Sequence, residues 1–207
     1  MKQILLTSAG LTDVMQSLFV SRIHKRPEQI KIMLIPCASL DSDGGREGII
    51  AGMAGLLQMG IRKENIFLYN LTYLLSHGYQ RIYSAAEDLS ALPLDIRLPT
   101  RAEFRQFDAV LFTGGRADTL MDEILRTGFR PLLTQAVEDG LFYIGVSAGS
   151  MVAAGNFENG LGFLKNPVIP HCLQGLPCGN VPENGEISLT DKQAVWITDA
   201  GAQIIGE

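Results

Sequence analysis

Cysteine is scarce. Three occur in 207 residues, Cys37, Cys172 and Cys178, with no C-x-x-C pair among them. An odd number without paired spacing argues against a secreted disulfide framework. Three cysteines and three histidines without ligand spacing argue against zinc, so no metal and no cofactor is expected. Long apolar runs are missing too. Nothing approaches the roughly 20 apolar residues that cross a bilayer. The opening Met1-Lys-Gln-Ile-Leu-Leu-Thr-Ser8 is too short an apolar run for a signal peptide and reads as a first strand. Lys and Arg form no block, and 17 of them against 22 Asp and Glu leave a net charge of -5. That balance offers nothing to nucleic acid or an anionic membrane, and the expected location is cytoplasmic. Internal repeats, low-complexity tracts and linkers are absent, so residues 1–207 read as a single α/β domain.

What is present is a packed chain: 46% hydrophobic and 19% charged residues fit a globular core rather than disorder. Strand-length apolar runs alternate with helix-like stretches. Ile4-Leu5-Leu6 leads into Thr-Ser-Ala-Gly10, and Leu11 to His24 repeats apolar residues at helical spacing through Val14, Leu18, Phe19 and Ile23. Ile30 to Pro36 and Asn65 to Leu71 read as strands, with a helix over Gly48 to Met59 between them. Residues 72–104 read as a helix, an irregular excursion and a polar segment over Arg101 to Phe104, after which Asp108 to Thr113 forms a strand closing on Gly114-Gly115. Helices follow over Thr119 to Leu125 and Arg130 to Glu138, broken at Gly128. Leu141 to Ile144 is the next strand, ended by Gly145, and Ser147 to Ala154 starts a helix. Ala194 to Ile197 and Ala202 to Ile205 close the chain as a hairpin. Nearly all-apolar strands alternating with helices imply a mostly parallel sheet covered by helices on both faces. Ligands bind such sheets beyond the carboxyl ends of the strands, where Gly115 and Ser147 both fall.

Gly145-Val-Ser-Ala-Gly149 satisfies G-x-S-x-G in the strand–turn–helix setting that gives the motif meaning as a nucleophile elbow. Its glycines suit a tight turn with no room beside the serine, and the plain alternative is an ordinary glycine-rich turn. An oxyanion needs two donors. The N–H of Ala148 follows the nucleophile, and Thr113-Gly-Gly-Arg116 offers a second at Gly115, unless that pair is only a turn or an anion nest. A serine also needs a base. His24 sits at a helix end and His77 in a turn-like Ser-His-Gly. His171, in Val168-Ile-Pro-His-Cys172, follows an apolar run downstream of the serine and is the best of the three. The acid that orients it is one of Glu183, Glu186, Asp191 or Asp199, with Asp191 first and Glu186 second. Cys37 ends a strand and reads as a small buried hydrophobe rather than a reactive thiol.

Phe112-Thr-Gly-Gly115 with Leu120, Ile144-Gly-Val-Ser-Ala-Gly-Ser150, and Gly160-Leu-Gly-Phe163 with Ile169-Pro-His171 together resemble the peptidase E and cyanophycinase-like serine peptidases. The resemblance extends over most of the chain and is strongest between residues 108 and 172. It implies a class I glutamine amidotransferase-like fold with serine in place of the nucleophilic cysteine. It also implies a Ser147–His171–Asp191 triad, oxyanion donors at Gly115 and Ala148, and small peptides, notably N-terminal aspartyl dipeptides, as substrates. The family commonly has Asn or Asp after the Gly-Gly pair, where this chain has Arg116. No Arg or Lys lies between His171 and Asp191, where the family's aspartyl dipeptidases are expected to hold the substrate carboxylate. Arg116, a planar fork suited to a carboxylate, is the expected substitute.

The expected function is a serine peptidase hydrolysing short peptides through an acyl-enzyme. An esterase or amidase acting on a small non-peptide acyl compound would use the same triad, and a non-catalytic ligand-binding protein could keep the same scaffold. Exposed apolar helix faces would allow a homodimer.

Overall fold

The structure, a computed structural model, describes residues 2–40, 43–74 and 98–207. His77 and most of the helix and irregular excursion expected within 72–104, namely residues 75–97, lie outside the described residues. Five strands run parallel: β1 (Gln3–Thr7), β2 (Ile32–Ile35), β3 (Ile66–Leu68), β4 (Ala109–Phe112) and β5 (Phe142–Val146). The pair β6 (Val168–Ile169) and β8 (Ile187–Ser188) stands apart as a small parallel sheet. With β7 (Gly179–Asn180), β9 (Gln193–Thr198) and β10 (Gly201–Gly206) added antiparallel, the main sheet has the order β3-β2-β4-β5-β1-β9-β10-β7.

The parallel strands are apolar throughout because both faces are covered. Side chains alternate along a strand, so Ile4, Leu6, Val110 and Phe112 point into one layer and Leu5, Ala109 and Leu111 into the other. The first layer is filled by α4 (Ala117–Thr127), α5 (Phe129–Glu138) and α6 (Ala148–Ala153), the second by α1 (Asp13–Ile23) and α2 (Asp43–Gln58). Aromatic rings lock both layers. Phe112 stacks on Tyr143 at 5.2 Å beneath the α6 side, and Phe19 of α1 meets Phe142 edge-on at 5.0 Å. Such pairs contribute about 0.5–1.5 kcal/mol beyond their burial. Gly128, at φ 73, separates α4 from α5 as the spacing predicts. Thr100 caps the short α3 (Arg101–Phe104) through a capping box with Glu103.

Several boundaries differ from expectation for local reasons. Met15 and Phe19 form the inward ridge of α1, while Val14 is 63% exposed; a residue one position off an i, i+4 ridge faces about 100° away. The strand expected over Asn65 to Leu71 stops at Leu68, because the Asn70 side chain accepts the Thr72 N–H and turns the chain into a 3-10 turn. Gly145 does not end β5, which continues through Val146. The second helix begins at Asp43 rather than Gly48, running straight through Gly44 and Gly45. No helix among the described residues is long and apolar enough to cross a membrane.

Candidate active site

Register puts the functional segments on one rim. In the parallel pairs Thr7 lies opposite Val146 and Phe112 opposite Gly145. The residues that follow, Ser8, Thr113 and Ser147, therefore leave the sheet at the same end. Antiparallel β9 reaches that rim with its start, Thr7 facing Ala194, and the Ser8 N–H donates to the Gln193 carbonyl.

Ser147 occupies a sharp elbow at φ 48, ψ -103, a region that side chains rarely adopt. The surroundings hold it there. Its N–H donates to the Thr7 carbonyl at 3.0 Å, and the buried Ser150 hydroxyl donates to the carbonyls of Thr7 and Gly145. Tyr143, buried under the turn, donates its hydroxyl to the Gly149 carbonyl at 2.7 Å. Both motif glycines are required sterically. A Cβ on Gly145 would stand 2.6 Å from the Gly149 backbone, and one on Gly149 2.7 Å from the Phe112 Cβ.

His171 reaches the serine from the small sheet. The β6–β8 register sets Ile169 beside Ser188, and the Cys172 N–H donates to the Leu189 carbonyl, so the two chains leave side by side. His171 then sits at φ 61 with Nε2 2.9 Å from Ser147 Oγ and Nδ1 2.7 Å from Asp191 Oδ1. A carboxylate only accepts, so Nδ1 carries the proton and the neutral ring offers Nε2 as acceptor to the serine hydroxyl. Of the four acids left open by sequence spacing, Asp191 is the one that meets the imidazole. Glu186 is exposed just before β8, and Asp199 accepts from the Lys2 N–H. The His171 and Asp191 side chains remain 52% and 62% exposed, so water screens their charge and the pair acts mainly by fixing the ring's orientation.

Ser8 is the residue the sequence did not single out. It is fully buried. Its hydroxyl oxygen accepts the His171 N–H at 2.7 Å and its proton is donated to Asp191 Oδ1 at 3.0 Å. One side chain thus ties the base's backbone to the acid. Its only sequence signal is its place directly after a strand at the ligand-binding rim.

The Gly114-Gly115 loop lies against the elbow, a Cβ on Gly114 falling 3.3 Å from the Ser147 Cβ. Gly115 has φ 123, and the next N–H, that of Arg116, donates to the Ala38 carbonyl at 2.8 Å. The buried Ser39 hydroxyl bonds Thr113 Oγ1 and the Gly114 carbonyl, fixing the loop from below. Among the described residues no acceptor takes the N–H of Gly115 or of Ala148. Arg116 is placed differently from the other candidates. It precedes α4, its guanidinium grips both oxygens of Asp118, and that hydrogen bond holds the Asp118 carboxyl down at about 2. His24, at φ 56, is the αL residue closing α1. Cys37 is buried, its sulfur taking the Leu71 N–H, and burial pushes its thiol up, away from the reactive thiolate.

A cavity of about 840 Å³ opens over this rim, with Ser147, His171, Ser8 and Gly115 on one wall and α2 on the other. That size falls within the roughly 300–1,000 Å³ of small-molecule sites.

A family model for peptidase family S51 matches residues 80–205, a span that holds Ser147, His171 and Asp191. A 53-residue stretch is 43% identical to peptidase E of Streptomyces coelicolor; it is 26% of this chain and 22% of that protein. The 1.5 Å crystal structure of a candidate peptidase E protein from Listeria monocytogenes EGD-e superposes with a TM-score of 0.63 at 19% identity, covering 100% of this chain and 99% of that one. A peptidase from an acI-B1 Actinobacterium superposes with a TM-score of 0.62 at 16% identity, covering 100% of this chain and 88% of the other. At such identities the likeness speaks for the fold, which is α/β and class I glutamine amidotransferase-like.

Proposed function

The chain belongs to peptidase family S51, which makes it a serine-type peptidase by class, and from that premise we propose that it hydrolyses short peptides with Ser147 as nucleophile. The observation that carries the reading is the continuous relay Ser147 Oγ–His171 Nε2 at 2.9 Å and His171 Nδ1–Asp191 Oδ1 at 2.7 Å. Ser147 attacks the scissile carbonyl as His171 takes its proton, and Asp191 stabilises the imidazolium that forms. The N–H groups of Gly115 and Ala148 receive the oxyanion. His171 then protonates the departing amine, leaving an acyl-Ser147 ester. A water deprotonated by His171 attacks that ester and returns the free serine. An ester or a non-peptide amide could follow the same steps, and family membership favours the peptide bond.

The test is a fluorophosphonate, which captures only an activated serine. Mass spectrometry is expected to find one adduct per chain, on Ser147, and none in His171→Ala. Absence of an adduct across about pH 6 to 9, where a histidine base operates, would remove the proposal.

Ser8→Ala tests the support for the relay. It leaves the His171 N–H without its acceptor and Asp191 with one donor fewer, costing about 1–3 kcal/mol in orientation and satisfaction. The expected result is a kcat about 10–100-fold lower with KM little changed. A rise in KM at constant kcat would place Ser8 in substrate binding instead.

A further inference from the structure

The cavity that receives the substrate has an unusual wall for a site expected to hold an aspartyl side chain. Among the described residues that line it, none is Asp, Glu, Lys or Arg, and His171 is the sole titratable side chain. Its apolar lining includes Leu11, Leu56, Leu111 and Val146. Three of its polar side chains are already engaged, and Gln58, at the end of α2, is uncharged. Gln16 donates its amide to the Leu11 carbonyl, Thr113 is bonded to Ser39, and Ser8 is held by His171 and Asp191. Arg116, the cation nearest in sequence to Gly115, is absent from the lining and grips Asp118.

The opposite wall is a helix kept narrow. Gly48, Gly52 and Gly55 of α2 line the cavity, and a Cβ at any of them would meet nothing of the described residues within 4 Å. Packing therefore does not require these glycines, although glycine is the poorer helix former than alanine. Gly45 on the same helix differs: its Cβ would stand 2.4 Å from the Ser39 carbonyl oxygen, so that glycine serves packing. The open positions coincide with the cavity, and what they provide there is width.

We infer that this cavity receives the side chain of the residue whose carbonyl Ser147 attacks, and that it selects an uncharged side chain of leucine or phenylalanine size over aspartate. A carboxylate buried here would lose its water without gaining a cation from the described residues, which is costly. An apolar side chain gains by leaving water against Leu56, Leu111 and the bare α2 backbone. This rests on Ser147 being the nucleophile, as proposed above.

The test uses three aminoalkyl diphenyl phosphonates carrying leucine, aspartate or glycine side chains, so that the amino group is the same in each. Ser147 Oγ forms a bond to phosphorus, one phenoxide departs, and the serine's proton passes through His171 to leave as phenol. The leucine probe is expected to modify Ser147 about 100-fold faster than the aspartate probe, as a site lacking the partner for a buried polar group discriminates by this order or more. Gly52→Val is expected to lower the ratio of leucine to glycine probe rates about tenfold or more, by filling the wall. An aspartate probe that modifies Ser147 as fast as the leucine probe would overturn the inference and leave the nucleophile in place. An unchanged ratio in Gly52→Val would overturn it as well, because the side chain then lies elsewhere. Failure of all three probes together with the fluorophosphonate would strike at the nucleophile itself.

Discussion

Ser147→Gly is expected to yield a protein more stable than Ser147→Ala by about 1 kcal/mol, with neither variant hydrolysing peptides. Both lose the hydroxyl and its hydrogen bond to His171, so the comparison isolates the backbone. At φ 48 and ψ -103 a side chain stores roughly 1–3 kcal/mol of strain. Alanine keeps that strain and glycine does not. Against this, glycine's freer unfolded chain costs about 0.4–1 kcal/mol. The backbone bonds of residue 147 to Thr7, Ser150 and Met151 remain in both variants. The difference should appear as a higher urea midpoint at constant slope, or a melting temperature about 2–4 °C higher. Peptide turnover should fall by roughly 10⁴–10⁶ in each, the scale seen when a triad nucleophile is removed. Equal stability would mean the elbow is relaxed. Surviving turnover would mean the nucleophile is another residue.

That elbow was legible because its chemistry is local. Strand, glycine, serine, glycine and helix follow within ten residues, and the clash distances at Gly145 and Gly149 show why the motif takes the form it does. The parallel strands were legible for a similar reason: burial on both faces leaves them uniformly apolar, and turn residues mark their ends. Which side chain faces which layer was not readable, since an all-apolar strand carries no alternation.

Contacts made by distant chain segments stayed out of reach. Ser8 and Asp191 are 183 residues apart and meet only because β9 runs antiparallel to β1. The pairing of His171 with Asp191 rather than Glu186 depends on a two-residue ladder, β6 with β8, far too short to leave a pattern. Arg116 shows that a side chain's chemistry does not fix its direction. Its fork does suit a carboxylate, and the carboxylate it grips is Asp118, two residues away. The helix expected over Gly48 to Met59 starts earlier, at Asp43, because α2 carries Gly44 and Gly45 despite glycine's poor helix propensity.

Gly115→Ala is the second substitution with a large expected effect, and it bears on the oxyanion site as the serine variants bear on the nucleophile. The added methyl would lie 1.9 Å from the Ala38 carbonyl oxygen at a φ of 123, a conflict of sterics and backbone at once. The obstacle cannot swing aside as a side chain would, because it is backbone and already accepts the Arg116 N–H. Either that hydrogen bond breaks or the Gly114-Gly115 loop lifts from its seat, costing more than about 2 kcal/mol by strain and lost satisfaction. Lifting the loop also withdraws the Gly115 N–H from the oxyanion, for which loss of one donor lowers kcat by about 10²–10³. Gly114→Ala separates the two effects. Its methyl comes no closer than 3.3 Å to any described atom, the nearest being the Ser147 Cβ, with no φ conflict, so it should fold nearly as the parent does and slow acylation by crowding the nucleophile. If Gly115→Ala keeps both its melting temperature and its turnover, the loop has another seat and the second oxyanion donor must come from elsewhere on the rim. If it keeps the fold and loses only kcat, the N–H of Gly115 is acting on the transition state, and the contact with Ala38 is the means by which it is aimed.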